Sequence, residues 1–316
     1  MDSTNIFPDC EELFGLLDKI TWGQDEPFGD MSVLAQWAVF RAVKRAGFKV
    51  TLDGQGGDEQ LGGYESFLGP HLIDLLKKMR FREAIHEGVA IGKGGSLNAK
   101  KALYKYAKDR SPVWFDLAGR RISGKGWMPP WLEHKYWLDK EVTYDKPWIE
   151  TSPRAPTGDT LHMKRLSERM MTLMPLPMLL HWEDRSSMVH SVEARVPFLN
   201  HRLVEFAMSL PNEMKITNGV RKHVLRQSMV GVIPEMIRTR RDKMGFSIPE
   251  VLWVRSQQAA IGDRFRQSMR RYPDLFSWPE LDRTLAFACS GDLNSARLVF
   301  RALTFDVWMQ TFKVLA

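Results

Sequence analysis

The stretch that most constrains the fold is an apolar segment that runs directly into a glycine loop, FKVTLDGQGGDEQLGGY, residues 48–64. Its first six residues contain apolar residues at alternate positions and the β-branched Val50 and Thr51, which predicts a short strand. Apolar residues at three- and four-residue spacing predict an amphipathic helix just before it, over 31–47, ending at Gly47. The order helix, strand, glycine loop is typical of a parallel α/β sheet. Ligands of such sheets bind at the carboxyl ends of the strands, so the sequence predicts a binding site at 53–59.

The residues of this loop indicate a phosphate ligand accompanied by a cation. Gly54, Gly56 and Gly57 permit positive φ and let backbone N–H groups approach an anion closely. Asp58 and Glu59 follow directly, and acids beside an anion site require a cation between them. Mg²⁺, which carboxylates and phosphates hold together, fits that requirement. The alternative is a tight turn with two solvated acids, and the glycine pattern alone leaves both open.

A second segment places several charged side chains among apolar residues. It reads HWEDRSSMVHSVEARVPFLNHRL, residues 181–203, and contains Asp184, Arg185 and Glu193. Charged groups in such a setting must pair with one another or bind something. An arginine suits a carboxylate or phosphate ligand, while an Arg–carboxylate network that only shapes a loop is the structural alternative.

A third segment is basic, RTRRDKMGFSIPE, residues 238–250. It places Lys243 next to a glycine flanked by apolar residues, where a lysine acts as a point charge toward phosphates. Lys222 and Arg226 lie one helical turn apart in the sequence and can add to the same positive field. A solvated helix face is the alternative for the other basic runs.

Most of the remaining chain is predicted to be helical. The predicted helical stretches are 9–20, 70–125, 160–210 with breaks at Pro175, Pro177 and Pro197, 220–234, and 275–316. Residues 122–160 are rich in Gly, Pro and Trp and are predicted to be an irregular insertion, either a lid or a connection. Residues 48–53 give the one convincing strand, although a single strand does not make a sheet.

Composition narrows the class of protein. The 316 residues are 44% hydrophobic and 26% charged, as in soluble globular proteins, and no apolar run is long enough to span a membrane. Cys10 and Cys289 are far apart, which argues against a disulfide framework and favours a reducing, cytoplasmic location. The net charge of +7 is spread over several segments without a nucleic-acid-binding motif, so nucleic acid is not an expected partner. No Ser/His/Asp or Cys/His set supports a hydrolase that acts through a nucleophile.

Three segments together resemble a known enzyme family. LDGQGGDEQLGGY, EDRSSMVHSVEARVPFLNHRLVEFAMSLP, and RKHVLR followed by IRTRRDKMGFSIPE are similar to the synthetase domain of glutamine-dependent asparagine synthetases. Relatives of that domain include β-lactam and carbapenam synthetases and lasso-peptide cyclases. The resemblance is strong over 20–70 and 160–250. It implies an α/β fold of the adenine nucleotide α-hydrolase-like, ATP-pyrophosphatase type, here mostly α with one or few parallel strands.

The resemblance also implies an activity and roles for particular residues. The family's domain uses ATP and Mg²⁺ to activate a carboxylate such as aspartate as an acyl-adenylate, which ammonia or an amine then attacks. Asp58 would hold Mg²⁺ on the pyrophosphate, and Asp184 and Arg185 would bind the substrate. The implied nucleotide-binding residues are Gly54, Gln55, Gly56, Gly57, Lys222 and Lys243. The implied catalytic residues are Lys243, Gln55 and Glu193.

Two features depart from the family pattern. Gln55 stands where asparagine synthetases carry the glutamate of SGEG, and a neutral amide cannot act as a general base. The pyrophosphate-binding motif S-G-G-x-D-S is absent, since GKGGSLNAKK at 92–101 lacks the aspartate and follows no strand. The sequence therefore predicts the C-terminal part of a larger ligase over 1–316, incomplete alone and complemented by a chain with the glutaminase and pyrophosphate loop. The alternatives are a non-catalytic remnant or interaction protein and a basic nucleic-acid-binding module.

Overall fold

The computed structural model describes residues 3–93, 103, 161–241, 248–273 and 276–314. Two features predicted from the sequence lie outside these residues, the irregular insertion at 122–160 and Lys243. Over the described ranges the protein is mostly helical, with two small sheets.

The elements follow one another in this order. The helices before the first long gap are α1 (Cys10–Gly15), α2 (Leu17–Gln24), α3 (Ser32–Arg45), α4 (Gly57–Leu61), α5 (Leu68–Lys77) and α6 (Phe81–Lys93). Those after it are α7 (His162–Thr172), α8 (Leu176–Val189), α9 (His201–Ser209), α10 (Asn212–Lys215), α11 (His223–Ser228), α12 (Glu235–Arg238), α13 (Glu250–Ser256), α14 (Gln258–Arg271), α15 (Trp278–Ser290) and α16 (Leu293–Thr311). The strands are β1 (Val50–Leu52), β2 (Glu193–Arg195), β3 (Ile216–Thr217) and β4 (Val220–Arg221). Short 3₁₀ turns occupy Glu65–Phe67 and Pro197–Leu199.

The predicted helix–strand–glycine loop unit is confirmed. α3 carries seven buried residues, and the chain turns after it at Gly47, whose φ is +82°. β1 follows and leads into the loop before α4. The helix predicted over 9–20 is instead two helices, because α1 ends at Gly15 and α2 begins at Leu17.

β1, the strand predicted from the sequence, pairs with a second strand and forms a small sheet. β2 pairs with β1 in parallel, with Val50 opposite Glu193 and Leu52 opposite Arg195. The expectation of one or few parallel strands is therefore confirmed, and β2 itself escapes the sequence pattern because a three-residue strand is too short to show a period. Both strands point their carboxyl ends in the same direction, which places the glycine loop beside the Pro197–Leu199 turn.

Two further local predictions are corrected. The helix predicted over 220–234 is in part a strand: β3 and β4 form an antiparallel hairpin, and α11 starts only after Lys222, whose φ is +55°. The break predicted at Pro177 does not occur, because this proline lies in the first turn of α8. In that turn a missing N–H costs no hydrogen bond.

Two apolar clusters support these elements. The larger one joins the first three helices to the four C-terminal ones and includes Leu13, Trp37, Phe265 and Phe300. The smaller one lies among α5, α6, α7 and β3. α8 packs against α2, α3 and α7 and leads directly into β2. None of the described helices combines the length and the apolar character needed to cross a bilayer.

Candidate active site at the carboxyl ends of the parallel strands

The glycines of the loop have different surroundings. Gly56 has a φ of +85°, and a Cβ on it would lie 2.2 Å from Leu199 Cδ2. A Cβ on Gly57 would make ordinary contact, 3.5 Å, with the ring of Phe198. A Cβ on Gly54 would meet no atom within 4 Å. The loop therefore packs tightly against the turn after β2, while Gly54 borders the open space through which a ligand can approach.

Hydrogen bonds tie this loop to the second strand. The Asp53 N–H donates to the Arg195 carbonyl at 2.8 Å, and Asp53 Oδ1 accepts from the Gln55 N–H at 3.2 Å. The buried Gln60 donates through Nε2 to the Phe198 carbonyl at 2.7 Å. Both ends of the loop are thus positioned by β2 and the turn that follows it.

Asp58 and Lys222, two of the predicted site residues, form an ion pair at the lip of the loop. Lys222 Nζ lies 2.9 Å from Asp58 Oδ1, and about a quarter of each side chain is exposed, 29% and 26%. Gly63 makes room for this pair, because a Cβ there would lie 1.8 Å from Asp58 Oδ1 and 2.5 Å from Lys222 Cε. The structure therefore brings the predicted metal ligand and a predicted phosphate-binding lysine into direct contact.

Glu59, the second acid after the glycines, faces the interior. Its side chain is 1% exposed and accepts a hydrogen bond from the Tyr64 hydroxyl at 2.6 Å. Burial and the neighbouring Glu59 carboxylate raise the pKa of Tyr64. Glu59 thus has a structural partner, and Asp58 is the more exposed of the two acids.

The other basic side chains of this region bind backbone carbonyls. Arg221 donates to the Gly63 carbonyl at 2.8 Å. Arg226 donates through Nε to the Arg221 carbonyl at 2.8 Å. Burial, followed by the charges of neighbouring arginines, lowers the pKa of Arg226. These guanidinium groups hold the segments around Lys222 together, and Lys222 is the one that reaches Asp58.

Three other predicted site residues interact with groups outside the glycine loop. Arg185 Nη1 lies 2.9 Å from Asp25 Oδ2. Asp184 is exposed on α8, and its carbonyl accepts from the Ser187 hydroxyl at 3.0 Å. Glu193 Oε1 lies 2.9 Å from Arg195 Nε at the exposed surface of β2, and this neighbour lowers the pKa of Glu193. The structure does not bring these three side chains to the glycine loop, so their proposed roles stay predictions.

Glu183, which is not among the residues predicted from the sequence, faces the loop from α8. It is 2% exposed, and it lies near Asp53 and Gln55 of the loop. Burial, and next the charge of Asp53, raise the pKa of Glu183 to about 8, whereas a hydrogen bond from the Gln55 side chain acts in the opposite direction. The helical spacing of the sequence could have indicated that Glu183 is buried, because Leu176, Ser186 and Ser187 lie on the same buried face of α8.

The residues at the lip fit a magnesium–phosphate ligand. Among the described residues no three His, Cys, Asp or Glu side chains cluster as a complete protein metal site. Mg²⁺ does not require one, since it commonly binds one or two carboxylates together with substrate phosphates and water. The ammonium group on Asp58 shows that this carboxylate accepts a cation. Lys243 lies outside the described residues, so its place at the site is not tested.

Fold and site together define a mostly helical protein with a small parallel sheet, and a candidate ligand site lies at the carboxyl ends of its strands, where a glycine loop, a carboxylate and a lysine meet. The family model for asparagine synthase matches residues 2–310, and the chain belongs to this family. The resemblance inferred from the three sequence segments is thereby confirmed.

Individual relatives agree with this assignment. The chain is 28% identical over 316 residues to a putative asparagine synthetase (glutamine-hydrolyzing) of Mycobacterium tuberculosis (strain ATCC 25618 / H37Rv), covering 96% of this chain and 45% of that protein. It is 24% identical over 312 residues to asparagine synthetase (glutamine-hydrolyzing) 1 of Bacillus subtilis (strain 168), covering 94% and 46%. The amidase chry2 of Gibberella zeae is 24% identical over 270 residues, with 78% and 39% covered. The chain spans less than half the length of these relatives.

Proposed function

We propose that this chain is the synthetase part of a cytoplasmic ATP-dependent ligase of the asparagine synthetase type. The ligase activates a carboxylate as an acyl-adenylate and transfers the acyl group to ammonia or another amine. The observation that carries the proposal is the Asp58–Lys222 ion pair beside the glycine loop, found in a chain of this family. A non-catalytic interaction protein has no chemical need for a carboxylate and a lysine at this place.

The loop residues act on the phosphates of ATP. Gly54 leaves open space in which the nucleotide phosphates would lie against the backbone of the loop. Asp58 would hold the Mg²⁺ ion, which when bound supplies positive charge to the pyrophosphate. Lys222 would then turn from Asp58 to the phosphate oxygens. Lys243 would add fixed positive charge where negative charge develops.

The reaction has two steps. A carboxylate oxygen of the substrate attacks the α-phosphorus of ATP, and pyrophosphate leaves. The amine nitrogen then attacks the acyl carbon, and AMP leaves with the electrons of the broken C–O bond. Aspartate is the proposed carboxylate substrate, with Asp184 and Arg185 as predicted members of its pocket. For Arg185 to take that role, its ion pair with Asp25 has to open.

We further propose that the chain needs a second segment to complete its nucleotide site. The sequence contains no S-G-G-x-D-S motif, so the other half of the pyrophosphate clamp comes from elsewhere. A chain or segment that carries this motif together with a glutaminase would supply both the clamp and the ammonia.

ATP–pyrophosphate exchange in the presence of aspartate tests the proposal. The chain is assayed alone and mixed with the N-terminal part of the Mycobacterium tuberculosis relative, which brings the remainder of a synthetase. We expect exchange only in the mixture, and a loss of about 100-fold with Asp58→Asn, as when a group that stabilises developing charge is removed. Asp282→Asn, the same change at an exposed position of α15, is the matched control and should exchange like the wild type.

Each part of the proposal has its own contrary result. Exchange by the chain alone would contradict the need for a second segment. Equal exchange by the wild type and Asp58→Asn would contradict the role of Asp58. Absence of exchange in every mixture would contradict the proposed function itself.

A further inference from the structure

The hairpin of β3 and β4 leads directly to Lys222, the residue that pairs with Asp58. Asn218 and Gly219 form the turn between the two strands, and both have positive φ, +54° and +68°. These are the values that the central residues of a tight hairpin turn require. The N–H groups of the two turn residues lie outside the strand pairing, so they need an acceptor from elsewhere.

Glu87 of α6 provides that acceptor. Its Oε1 accepts from the Asn218 N–H at 2.7 Å, and its Oε2 accepts from the Gly219 N–H at 2.8 Å. Glu87 is 8% exposed, and hydrogen bonds to an ionised carboxylate are stronger than those between neutral groups. The turn also packs directly on α6, because a Cβ on Gly219 would lie 3.0 Å from the backbone nitrogen of Ile91. α6 therefore holds the turn through a carboxylate and through close backbone packing.

Lys222 follows Gly219 by three residues and has an unusual backbone conformation. Its φ is +55°, a left-handed value that a lysine adopts where the surrounding structure determines it. The clamped turn lies on one side of it. On the other side Arg221 Nη1 donates to the Gly63 carbonyl at 2.8 Å. The lysine stem is flexible, so the position of its backbone decides which anion the ammonium group reaches.

We propose that Glu87 is a positioning residue for the phosphate site, which holds the hairpin so that Lys222 points at Asp58 and, when nucleotide is bound, at the phosphate oxygens. The contact of Lys222 with phosphate rests on the proposed function, whereas the control of Lys222 by Glu87 is a property of the chain by itself. Glu87 acts through the hairpin and not by contact with the ligand. A carboxylate that only stabilised the fold would leave the state of Lys222 unchanged in a folded variant.

Chemical labelling of Lys222 tests this control without nucleotide. The chain is treated with limiting N-hydroxysuccinimidyl acetate, and acetylation of Lys222 is followed by mass spectrometry. The ion pair has to open before the nitrogen reacts, so Asp58→Asn should raise the rate about threefold, as expected for a partly exposed pair. Glu87→Gln should raise it by a similar factor, because the amide keeps one acceptor but directs an NH₂ group at the second N–H.

Asp306→Asn is the matched control for this labelling. Asp306 of α16 is another buried carboxylate, 1% exposed, and it accepts from Arg264 Nε at 3.0 Å and from Gln310 Nε2 at 2.9 Å. The variant makes the same change from carboxylate to amide outside the hairpin. It should label at Lys222 like the wild type.

A double-mutant cycle provides an independent measurement in the two-component mixture. ATP–pyrophosphate exchange is compared for Glu87→Gln, Lys222→Ala and the double variant. Glu87→Gln should lose on the order of tenfold, since displacement of a group that contacts the reacting atoms is costly. Once Lys222 is alanine, the same change should cost less than about twofold, because residues that act through one another are not additive. Asp306→Asn should have the same effect in both backgrounds.

Gly219→Ala reaches the hairpin by another route and serves if Glu87→Gln folds poorly. Its Cβ would press on the backbone of α6, so the turn has to move while Glu87 is kept, and Lys222 should label faster. Wild-type labelling of Lys222 in both folded variants, or an equal loss of exchange in both backgrounds, would overturn the inference and leave the proposed function standing. Absence of exchange in every mixture would contradict the proposed function, and labelling would still decide the role of Glu87.

Discussion

At the residue scale, the glycines of the loop divide into those required by packing and those that leave space for a ligand. Gly56 combines a positive φ with a close approach to Leu199, whereas Gly54 has neither. Gly63 belongs to a third kind, since it leaves room for an ion pair. Residue type alone does not separate these roles, because all of them read as glycine in the sequence.

Gly56→Ala and Gly54→Ala form a matched pair of variants. Gly56→Ala should lower the free energy of unfolding by roughly 2–4 kcal/mol, because the alanine is strained at φ +85° and its Cβ overlaps Leu199. Gly54→Ala should change it by only about 0.5 kcal/mol, and instead weaken nucleotide binding. Urea unfolding curves measure both, and equal destabilisation by the two variants would contradict the loop conformation.

The raised pKa of Glu183 predicts how the free energy of unfolding depends on pH. Its pKa is raised from 4.5 to about 8 in the folded protein, so between these pH values the folded state holds a proton that the unfolded state has lost. Its contribution is therefore fully present below pH 4.5 and is lost as the pH rises through 8. Glu183→Gln should show a smaller fall in the free energy of unfolding over this range. Urea unfolding at several pH values tests this, and Glu205→Gln, at an exposed position of α9, should keep the wild-type slope.

At the element scale, the sequence predicts what is local and misses what depends on distant partners. α3, β1 and the loop were predictable, because apolar spacing and glycines are adjacent in the chain. β2 escapes the sequence pattern because it is short and its partner is far away in the sequence, so the sequence does not indicate that Glu193, a predicted site residue, lies on an exposed strand. In α8, Glu183 and Asp184 look equivalent by type, but successive helical residues point about 100° apart, and only Glu183 faces inward.

Asp74 provides a test of how the elements are joined. This buried aspartate of α5 accepts from the N–H groups of His162 and Met163 at 2.7 and 2.9 Å, and from Asn212 Nδ2 at 2.8 Å. It thereby links α5 to the start of α7 and to α10. Asp74→Ala should cost roughly 3–5 kcal/mol of unfolding free energy because three donors lose a charged acceptor, and Asn212→Ala only about 1–2 kcal/mol. Similar costs for both would show that the link is not made through Asp74.

At the scale of the whole molecule, β1 pairs, within the described ranges, with β2 alone. Alternate residues of its segment form an apolar row, with Phe48 64%, Val50 40% and Leu52 74% exposed. Such a row beside an unpaired strand favours association with another chain. The row lies next to the candidate site, in a chain that spans less than half of its relatives.

The apolar row predicts self-association of the chain by itself. Leu52→Lys should lower the average mass at high protein concentration, because it places a charge on the strand that another chain would cover. Analytical ultracentrifugation over a concentration series measures the change. Phe7→Lys, at an apolar residue that is 90% exposed but outside the sheet, should behave like the wild type. If Phe7→Lys had the larger effect, association would use a different surface.

The ion pair between Asp58 and Lys222 has a thermodynamic consequence for the proposed site. A metal ion that binds this Asp58 oxygen competes with the ammonium group for it, and a displaced ammonium group is best accommodated by phosphate oxygens. Metal and phosphate therefore each remove part of the cost of binding the other, so their binding free energies are coupled, and by linkage the coupling is reciprocal. Because two cations compete for one carboxylate, the site would bind free metal or free pyrophosphate weakly and would bind the two together strongly.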